Sequence, residues 1–534
     1  MTGTSWLSRA LPWRAVRHGA LLLLICVGGG AVAQEQDPGQ IRALLADQAA
    51  QAPARREDAA VLARFYAERG YRLAWRASAD VQAALALLDG AADHGLEPAD
   101  YAAARDAVAR LGGGDASAAT GADVMLSRAV LRYLVDLHAG RTRGTVLSSD
   151  ARPEQRFDAA ALLQEALAGH GLAGLEARAV PHFGLYGRLQ DALRRYRAMA
   201  AQGDTAVPAS VAPRTAGADA RDSAALRRRL VELGDLADGP GDDGQLVAAL
   251  RRFQQRHGLG ADGIAGRATL AALNVPLRER VRQLAFALER LRWLPALPER
   301  RVVVINLPSY RLWAVDRHAG EARPVLDMPV IVGKALRTPT PVFIGTMRQV
   351  EFNPYWNVPP SILRNELLAH VARDPDYLRR NNMEVVLAGA ATQDVDAAIL
   401  GRLRSGAARV RQRPGPDNAL GAVKFVLPNS MNIYLHGTPA RALFERARRD
   451  FSHGCIRVQD PAALAGFVLV EQGWDAAAVA QAMAPGTTRV VRLQAPLPVV
   501  IFYTTAIAEA DGTVTFLADV YGLDAALARR WDAP

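Results

Sequence analysis

Cysteine is almost missing from these 534 residues: there are two, Cys26 and Cys455. That is too few for a disulfide framework or for a cysteine-rich zinc site. Lysine is equally scarce, with only Lys334 and Lys424 in a chain whose basic residues are otherwise arginine. Nowhere do five basic residues run together, so a formal charge of +10 is spread thinly. This argues against nucleic acid as a partner and leaves attraction to an anionic polymer or membrane surface open. No apolar run reaches the roughly 20 residues of a spanning helix, which excludes a polytopic membrane protein. His94, His138, His170, His182, His257, His318 and His370 show no metal-ligand spacing, and there is no HExxH. Gly112-Gly113-Gly114 lacks the lysine of a phosphate loop. No metal and no cofactor are expected.

What is present begins with a basic leader. Arg9, Arg14 and Arg17 precede the apolar stretch Leu21 to Val27 and a small-residue tail ending Ala31-Val32-Ala33, after which Gln34, Glu35, Gln36 and Asp37 turn polar. This is the pattern of a secretory signal peptide over residues 1–33, and it implies the periplasm, or an inner-membrane anchor if the signal is retained. Cleavage would leave Cys455 as the sole thiol.

The length suits roughly three ordinary domains. Residues 41–200 are alanine- and leucine-rich, with Val124, Val130, Leu131, Leu134 and Leu137 near helical spacing, and read as a helical scaffold. Residues 201–222 hold Pro208, Pro213 and many small residues, as a linker does. Residues 223–274 form a compact helical unit: Leu226, Leu230 and Leu233 make one stripe, and Leu246, Leu250 and Phe253 another, with Gly234 and Gly258 as closing residues. Residues 275–300 continue as a connecting amphipathic helix. From Arg301 the chain turns into short β-branched runs separated by Pro, Gly and Asn, so residues 301–490 read as a β-rich domain. A long segment at about 360–428 interrupts it, with helical pieces at Ser361 to Ala372 and Asp394 to Leu403, and is read as an inserted lid. Residues 491–534, with Asp511-Gly512 between two short strands, are read as a C-terminal strand and hairpin extension.

The chemistry lies between His436-Gly437-Thr438-Pro439 and Ser452-His453-Gly454-Cys455-Ile456-Arg457. A thiol attacks as thiolate, and its ordinary pKa of about 8.5 leaves only a few per cent ionised at neutral pH. An imidazole in reach can take the proton, and either His436 or His453 is available. On an extended segment His453, Cys455 and Arg457 share one face. The guanidinium would then favour thiolate and could hold a substrate carboxylate. Gly454 lets backbone amides approach a developing oxyanion. The residues alone therefore indicate Cys/His acyl transfer. Asn432 and Tyr434, which lead into His436, read as ordinary sheet residues, with a role in supporting the catalytic groups as the alternative.

These motifs resemble the L,D-transpeptidase (YkuD-like) catalytic domain: an HG pair, fourteen intervening residues, then SHGC with a polar residue two further on. Arg457, where many members have asparagine, is similar to the large multidomain periplasmic branch. So are Ser309-Tyr310-Arg311-Leu312, Val332-Gly333-Lys334 with Thr338-Pro339-Thr340-Pro341, and Asn353-Pro354-Tyr355-Trp356-Asn357-Val358-Pro359. Phe253-Gln254-Gln255-Arg256-His257-Gly258-Leu259, Asp262-Gly263-Ile264 and Gly266-Arg267-Ala268-Thr269-Leu270 resemble the peptidoglycan-binding type 1 repeat, a three-helix module.

The fold class implied is a multidomain α+β protein: helical scaffold, small peptidoglycan-binding module, and mainly-β catalytic domain with an inserted lid. The resemblance implies Cys455 as nucleophile, His436 as proton donor and acceptor, Gly437 orienting His436 through its carbonyl, and His453 with Gly454 on the oxyanion side. Arg457, Ser452, Tyr355 and Trp356 are the expected substrate-binding residues. Expected partners are peptidoglycan stem peptides and glycan, with other cell-wall synthesis proteins as further candidates, no nucleic acid, and carbapenem-type inhibitors acylating Cys455. The implied reaction forms 3→3 cross-links with loss of D-alanine. Water or a lipoprotein lysine as acceptor, and a non-catalytic wall-binding scaffold, are the alternatives.

Overall fold

The structure is a computed structural model that describes residues 38–51, 56–109, 116–142, 157–211, 220–239, 242–295, 300–318, 321–374, 376–387 and 390–532. The expected signal peptide and residues 212–219 of the expected linker lie outside the described residues. Among the described residues no helix is long and apolar enough to cross a membrane.

The N-terminal region is helical. Its centre is the helix Ala116–Ala139, on which Val124, Val130, Leu131, Leu134 and Leu137 are fully covered by the surrounding helices. Arg56–Glu68 packs Phe65 and Tyr66 against it, and Tyr66 donates to Asp123 at 2.5 Å across that contact. Three further helices, Ala220–Glu232, Asp243–Arg256 and Arg267–Leu273, enclose a separate small core of Leu226, Leu230, Leu250, Phe253, Leu270 and Leu273. Asp242 caps the middle helix by accepting from the Gln245 amide. The Gln254 side chain holds the following turn, donating to Asp262, Ile264 and Thr269 while accepting from Gly263.

The helix Leu277–Arg292 was expected to be a simple connector, and it is instead buried on almost every side. Leu284, Leu288 and Leu291 pack on the helix Gly184–Gln202, while Phe286 enters the scaffold core. Glu289 and Arg292 are both fully buried and paired at 3.2 Å. Glu289 also accepts from the backbone amides of Arg141 and Thr142, and Arg292 donates to the His94 carbonyl and the Tyr186 hydroxyl. The residues look amphipathic in sequence because their polar partners come from elements some 100 or more positions away.

The C-terminal part is built on one nine-stranded sheet. Its strands in chain order are β1 (Arg301–Asn306), β2 (Arg311–His318), β3 (Glu321–Gly333), β4 (Phe343–Phe352), β5 (Val423–Val426), β6 (Leu435–His436), β7 (Asp450–Ser452), β8 (Ile456–Val458) and β9 (Arg489–Phe502). The order across the sheet is β7-β3-β8-β6-β5-β4-β9-β1-β2, and β3 also pairs with β2 along its first part, so the sheet bends back on itself. On β1 and β9 both faces are covered. Val303, Ile305, Val499 and Ile501 join the core of the sheet domain, whereas Val302, Val500 and Phe502 join a second core shared with the helices. Strands buried on both faces carry continuous rather than alternating apolar runs.

Two boundaries are corrected by this topology. β9 lies between β4 and β1 in the middle of the sheet, so a division at 490/491 cuts a central strand. The insertion expected at 360–428 also overreaches, because Val423–Val426 is a strand of the main sheet. Between β4 and β5 the chain instead builds a small unit with its own four-stranded sheet, ordered Trp356–Asn357, Arg409–Gln412, Met383–Leu387, Ala390–Thr392. Leu363, Leu367, Val371, Leu378, Val385, Leu403 and Val410 are its core. Beyond β9 the hairpin Ala506–Ala508 with Val514–Phe516 forms, and the helix Leu523–Trp531 returns to the scaffold, placing Leu527 and Trp531 in its core.

Candidate active site

β6 is only two residues long, yet it fixes the site. It runs parallel to β8 with His436 opposite Arg457, and antiparallel to β5 with His436 opposite Lys424. Residues opposed in a ladder share a face, and the face repeats every second residue. Tyr434 and Cys455, two positions before His436 and Arg457, therefore fall on this face too. The Tyr434 and His436 rings lie 5.6 Å apart, and Tyr434 stands close enough to the Cys455 thiol for the two to shift one another's titration.

His436 is buried, and its Nδ1 lies 2.5 Å from the carbonyl of Gly437. A carbonyl only accepts, so Nδ1 carries the ring hydrogen and the lone pair is left on Nε2. Burial lowers the imidazole pKa to about 3, helped by the charges of Arg457 and Lys424. The ring is thus neutral at any working pH. Gly437 is tightly placed: a side chain on the adjoining Gly421, whose φ is +62°, would meet the Gly437 and Thr438 backbone within 3 Å.

Cys455 is half-buried, and its thiol points to the Asn432 carbonyl at 3.5 Å. Burial raises its pKa above the ordinary thiol value, while the Tyr434 hydrogen bonds and the Lys424 and Arg457 charges pull the other way. Arg457 is half-buried, and its Nε is covered without a hydrogen-bond partner. Lys424 pairs with Glu351 at 3.2 Å and stands 4.8 Å over the Tyr434 ring. A neutral base, a shielded thiol and an unsatisfied guanidinium on one face can pass a proton, form a thioester and receive a carboxylate.

The loop before Cys455 is held by a chain of hydrogen bonds. Thr340 Oγ1 donates to the Gly454 carbonyl at 2.7 Å, Thr338 Oγ1 donates to the Ser452 carbonyl at 3.0 Å, and Ser452 Oγ donates to the Cys455 carbonyl at 2.5 Å. Gly454 has φ +115°, a conformation that favours glycine. Ser452, expected to touch substrate, is buried and spends its hydroxyl within this loop. The His453 side chain, expected on the oxyanion side, turns instead to Glu366 of the insertion, with Nε2 and Oε1 2.6 Å apart. Tyr355 and Trp356 are likewise used inside the insertion: Arg411 lies 4.2 Å over the Tyr355 ring, and Trp356 packs on the insertion core.

Sequence reasoning overlooked three side chains. Lys424 and Glu351 come from neighbouring strands, and Glu366 from the insertion; only alternation along the strands could have pointed to the first two. Asn432 and Tyr434, read as ordinary sheet residues, both bear on the thiol, the first through its carbonyl and the second by lowering the thiol pKa. Among the described residues no group of histidine, cysteine or carboxylate side chains could hold a metal ion.

The sheet thus brings a thiol, an imidazole and a guanidinium onto one face. Comparison with known families then narrows the class. Residues 300–501 match the L,D-transpeptidase catalytic domain (YkuD), residues 60–193 match a scaffold domain, and residues 220–273 match the "Putative peptidoglycan binding domain". The chain therefore carries a YkuD-family L,D-transpeptidase catalytic domain behind a helical scaffold and a peptidoglycan-binding type 1 module. It is 34% identical over 247 residues to the "Putative L,D-transpeptidase" of Haemophilus influenzae, covering 45% of this chain and 48% of that protein. The match thus spans about half the length of that curated relative. A solved structure of Bdellovibrio bacteriovorus Bd1075 is 13% identical, covers 43% of this chain and 55% of its own, and superposes with a TM-score of only 0.17.

Proposed function

We propose that this chain is a periplasmic L,D-transpeptidase that joins peptidoglycan stem peptides through a thioester at Cys455. In the first half-reaction Nε2 of His436 takes the thiol proton and the sulfur attacks the carbonyl of meso-diaminopimelate in a tetrapeptide stem. The C–N bond to the terminal D-alanine breaks, and the imidazolium returns its proton to the departing amine. In the second, the side-chain amine of another diaminopimelate attacks the thioester, the C–S bond breaks, and a 3→3 cross-link forms with the thiol restored. The energy of the broken peptide bond is carried in the thioester, so no nucleotide is required. Arg457, whose Nε has no partner, is suited to the stem carboxylate.

The observation that carries this reading is the fixed tautomer of His436, which leaves a neutral base on the face that also bears Cys455 and Arg457. The peptidoglycan-directed domain matches agree with work outside the cytoplasm. Incubation of purified protein with a disaccharide tetrapeptide tests it by mass analysis. A dimer short of one D-alanine is expected. A shortened monomer would mean water is the acceptor, as in an L,D-carboxypeptidase, and no dimer with free stems but transfer to a lysine peptide would mean lipoprotein attachment. No covalent product from any acceptor would leave a wall-binding scaffold. Cys455→Ala is expected to abolish product while glycan binding persists, and unchanged product would remove Cys455 as nucleophile.

A further inference from the structure

A wide opening lies apart from the thiol, and Cys455 is not among the residues that line it. It is a cleft of about 1250 Å³ between the three-helix module, the hairpin beyond β9, and the β2–β3 edge of the sheet domain. Small-molecule pockets usually measure about 300–1,000 Å³, so this one suits an extended ligand. One wall carries Trp313 and the Arg311–Asp327 pair, joined at 2.6 Å. The facing wall carries Arg252, Gln255 and the open turn at Gly260. Its lining holds six arginines and five carboxylates, a near balance that disfavours a polyanion. Arg252 is spent on the Asp235 carbonyl and Arg449 on the Arg446 and Tyr310 carbonyls, each arginine retaining further N–H donors. Mixed donors and acceptors beside an indole face are the chemistry that recognises a polyhydroxylated, amide-bearing saccharide.

Position makes the cleft relevant to the thiol. Arg449 lines it and immediately precedes β7, the strand that runs into the Cys455 loop. The six residues from Arg449 to Cys455 span at most about 20 Å at roughly 3.3 Å per residue. An extended four-residue stem peptide covers about 14 Å, and its link to the sugar adds to that.

We propose that this cleft is a glycan-strand site, formed jointly by the module, the hairpin and the β2–β3 edge, which holds the saccharide chain while its stem peptide reaches Cys455. The proposal rests on the reading of the chain as a peptidoglycan transpeptidase, and it adds a second contact for the same polymer.

The test uses the whole protein and peptide-free glycan strands, with binding followed by titration calorimetry. Two variants are compared. Trp313→Ala removes the indole face. Gly260→Trp fills the cleft, at a position where an added side chain meets nothing within 4 Å and the backbone needs no glycine. Both are expected to weaken glycan binding at least tenfold, and to raise KM for glycan-linked stems while leaving kcat on a free disaccharide tetrapeptide unchanged. Unaltered glycan binding in Gly260→Trp, or a wild-type chain that does not bind peptide-free glycan, overturns the cleft assignment. Because binding is read without turnover, a protein that binds glycan through the cleft and forms no cross-link refutes the transpeptidase reading alone.

Discussion

Arg457 faces His436 across two parallel strands, and the Nε of its guanidinium is buried with nothing to donate to. A cation beside a base is an unusual neighbour, since it opposes protonation of the imidazole. Together with burial it keeps His436 in the neutral form that can accept a proton from a thiol. The same cation lies on the face where Cys455 would develop negative charge, so one guanidinium favours the thiolate while it makes the imidazole a weaker proton acceptor.

The pH dependence follows from these two groups. Cys455 is shifted upward by burial, so its reaction with iodoacetamide should keep rising with pH beyond the range of an ordinary thiol. His436, at about 3, should contribute no acid limb between pH 5 and 7. Above the ordinary histidine value of about 6.5 both folded and unfolded chains are neutral at this residue, and its contribution to stability is constant. As the pH falls from there toward 3 the unfolded chain binds a proton that the folded chain refuses, so stability is lost across that window. His436→Gln should flatten this part of a melting-temperature profile. An equally steep acid loss in the variant would assign it to other groups.

Tyr434→Phe removes the hydroxyl that favours the Cys455 thiolate. A hydrogen bond to a charged group contributes about 1.5–3 kcal/mol, so alkylation of Cys455 at pH 7 should slow about tenfold or more and its pH profile should move upward. Peptide mapping by mass spectrometry separates Cys455 from Cys26. A profile that does not move would show that the hydroxyl has no bearing on the thiolate.

Arg457→Lys keeps the charge and loses the planar fork that matches a carboxylate. KM for a tetrapeptide should rise about tenfold with kcat nearly unchanged, and a tetrapeptide with an amidated end should show no such difference between the two proteins. Equal KM values for the acid would place the carboxylate elsewhere.

Gly454→Ala tests the loop. An added Cβ would come no closer than 3.6 Å to Ile433, so room is not the obstacle; the φ of +115° is. Such backbone strain costs of order 1–3 kcal/mol. Cross-linking should fall more than a hundredfold while the circular dichroism spectrum stays that of wild type. Full activity in this variant would mean that the loop tolerates another path.

Glu366→Ala separates the insertion from His453. Both groups are partly exposed, at 48% and 32%, so the pair contributes no more than about 1 kcal/mol, and the melting temperature should hardly change. Labelling of Cys455 by a bulky maleimide should nevertheless quicken severalfold if this contact holds the insertion over the loop. Unchanged labelling removes that role from Glu366.

The candidate site was legible because His436, Cys455 and Arg457 sit in a short local motif whose alternation needs no tertiary information. The groups around the thiol were less visible. Asn432 has a left-handed φ of +57°, which interrupts the extended pattern and turns its carbonyl to the thiol, so Asn432 and Tyr434 passed for ordinary sheet residues. Glu366 lies 87 positions from His453 and carries no signal of that contact. The centrality of β9 was hidden by a register irregularity between Arg492 and Leu497, which breaks its alternation around Pro496. The burial of Glu289 and Arg292 could not be read at all, since their charges look like the solvent face of a connector until the scaffold closes over them.

That last pair bears on how the protein can be dissected. Glu289 takes hydrogen bonds from residues 141 and 142, and Arg292 gives them to residues 94 and 186. Expressing the sheet domain behind the Leu277–Arg292 helix, without the first 200 residues, would leave the Glu289–Arg292 pair together but facing water in place of its scaffold hydrogen bonds. It would also uncover Leu284, Leu288 and Leu291, which pack on the helix Gly184–Gln202, and so expose an apolar stripe. A fragment meant to keep that seam closed has to retain residues 94, 141, 142 and 186, and so cannot start at β1.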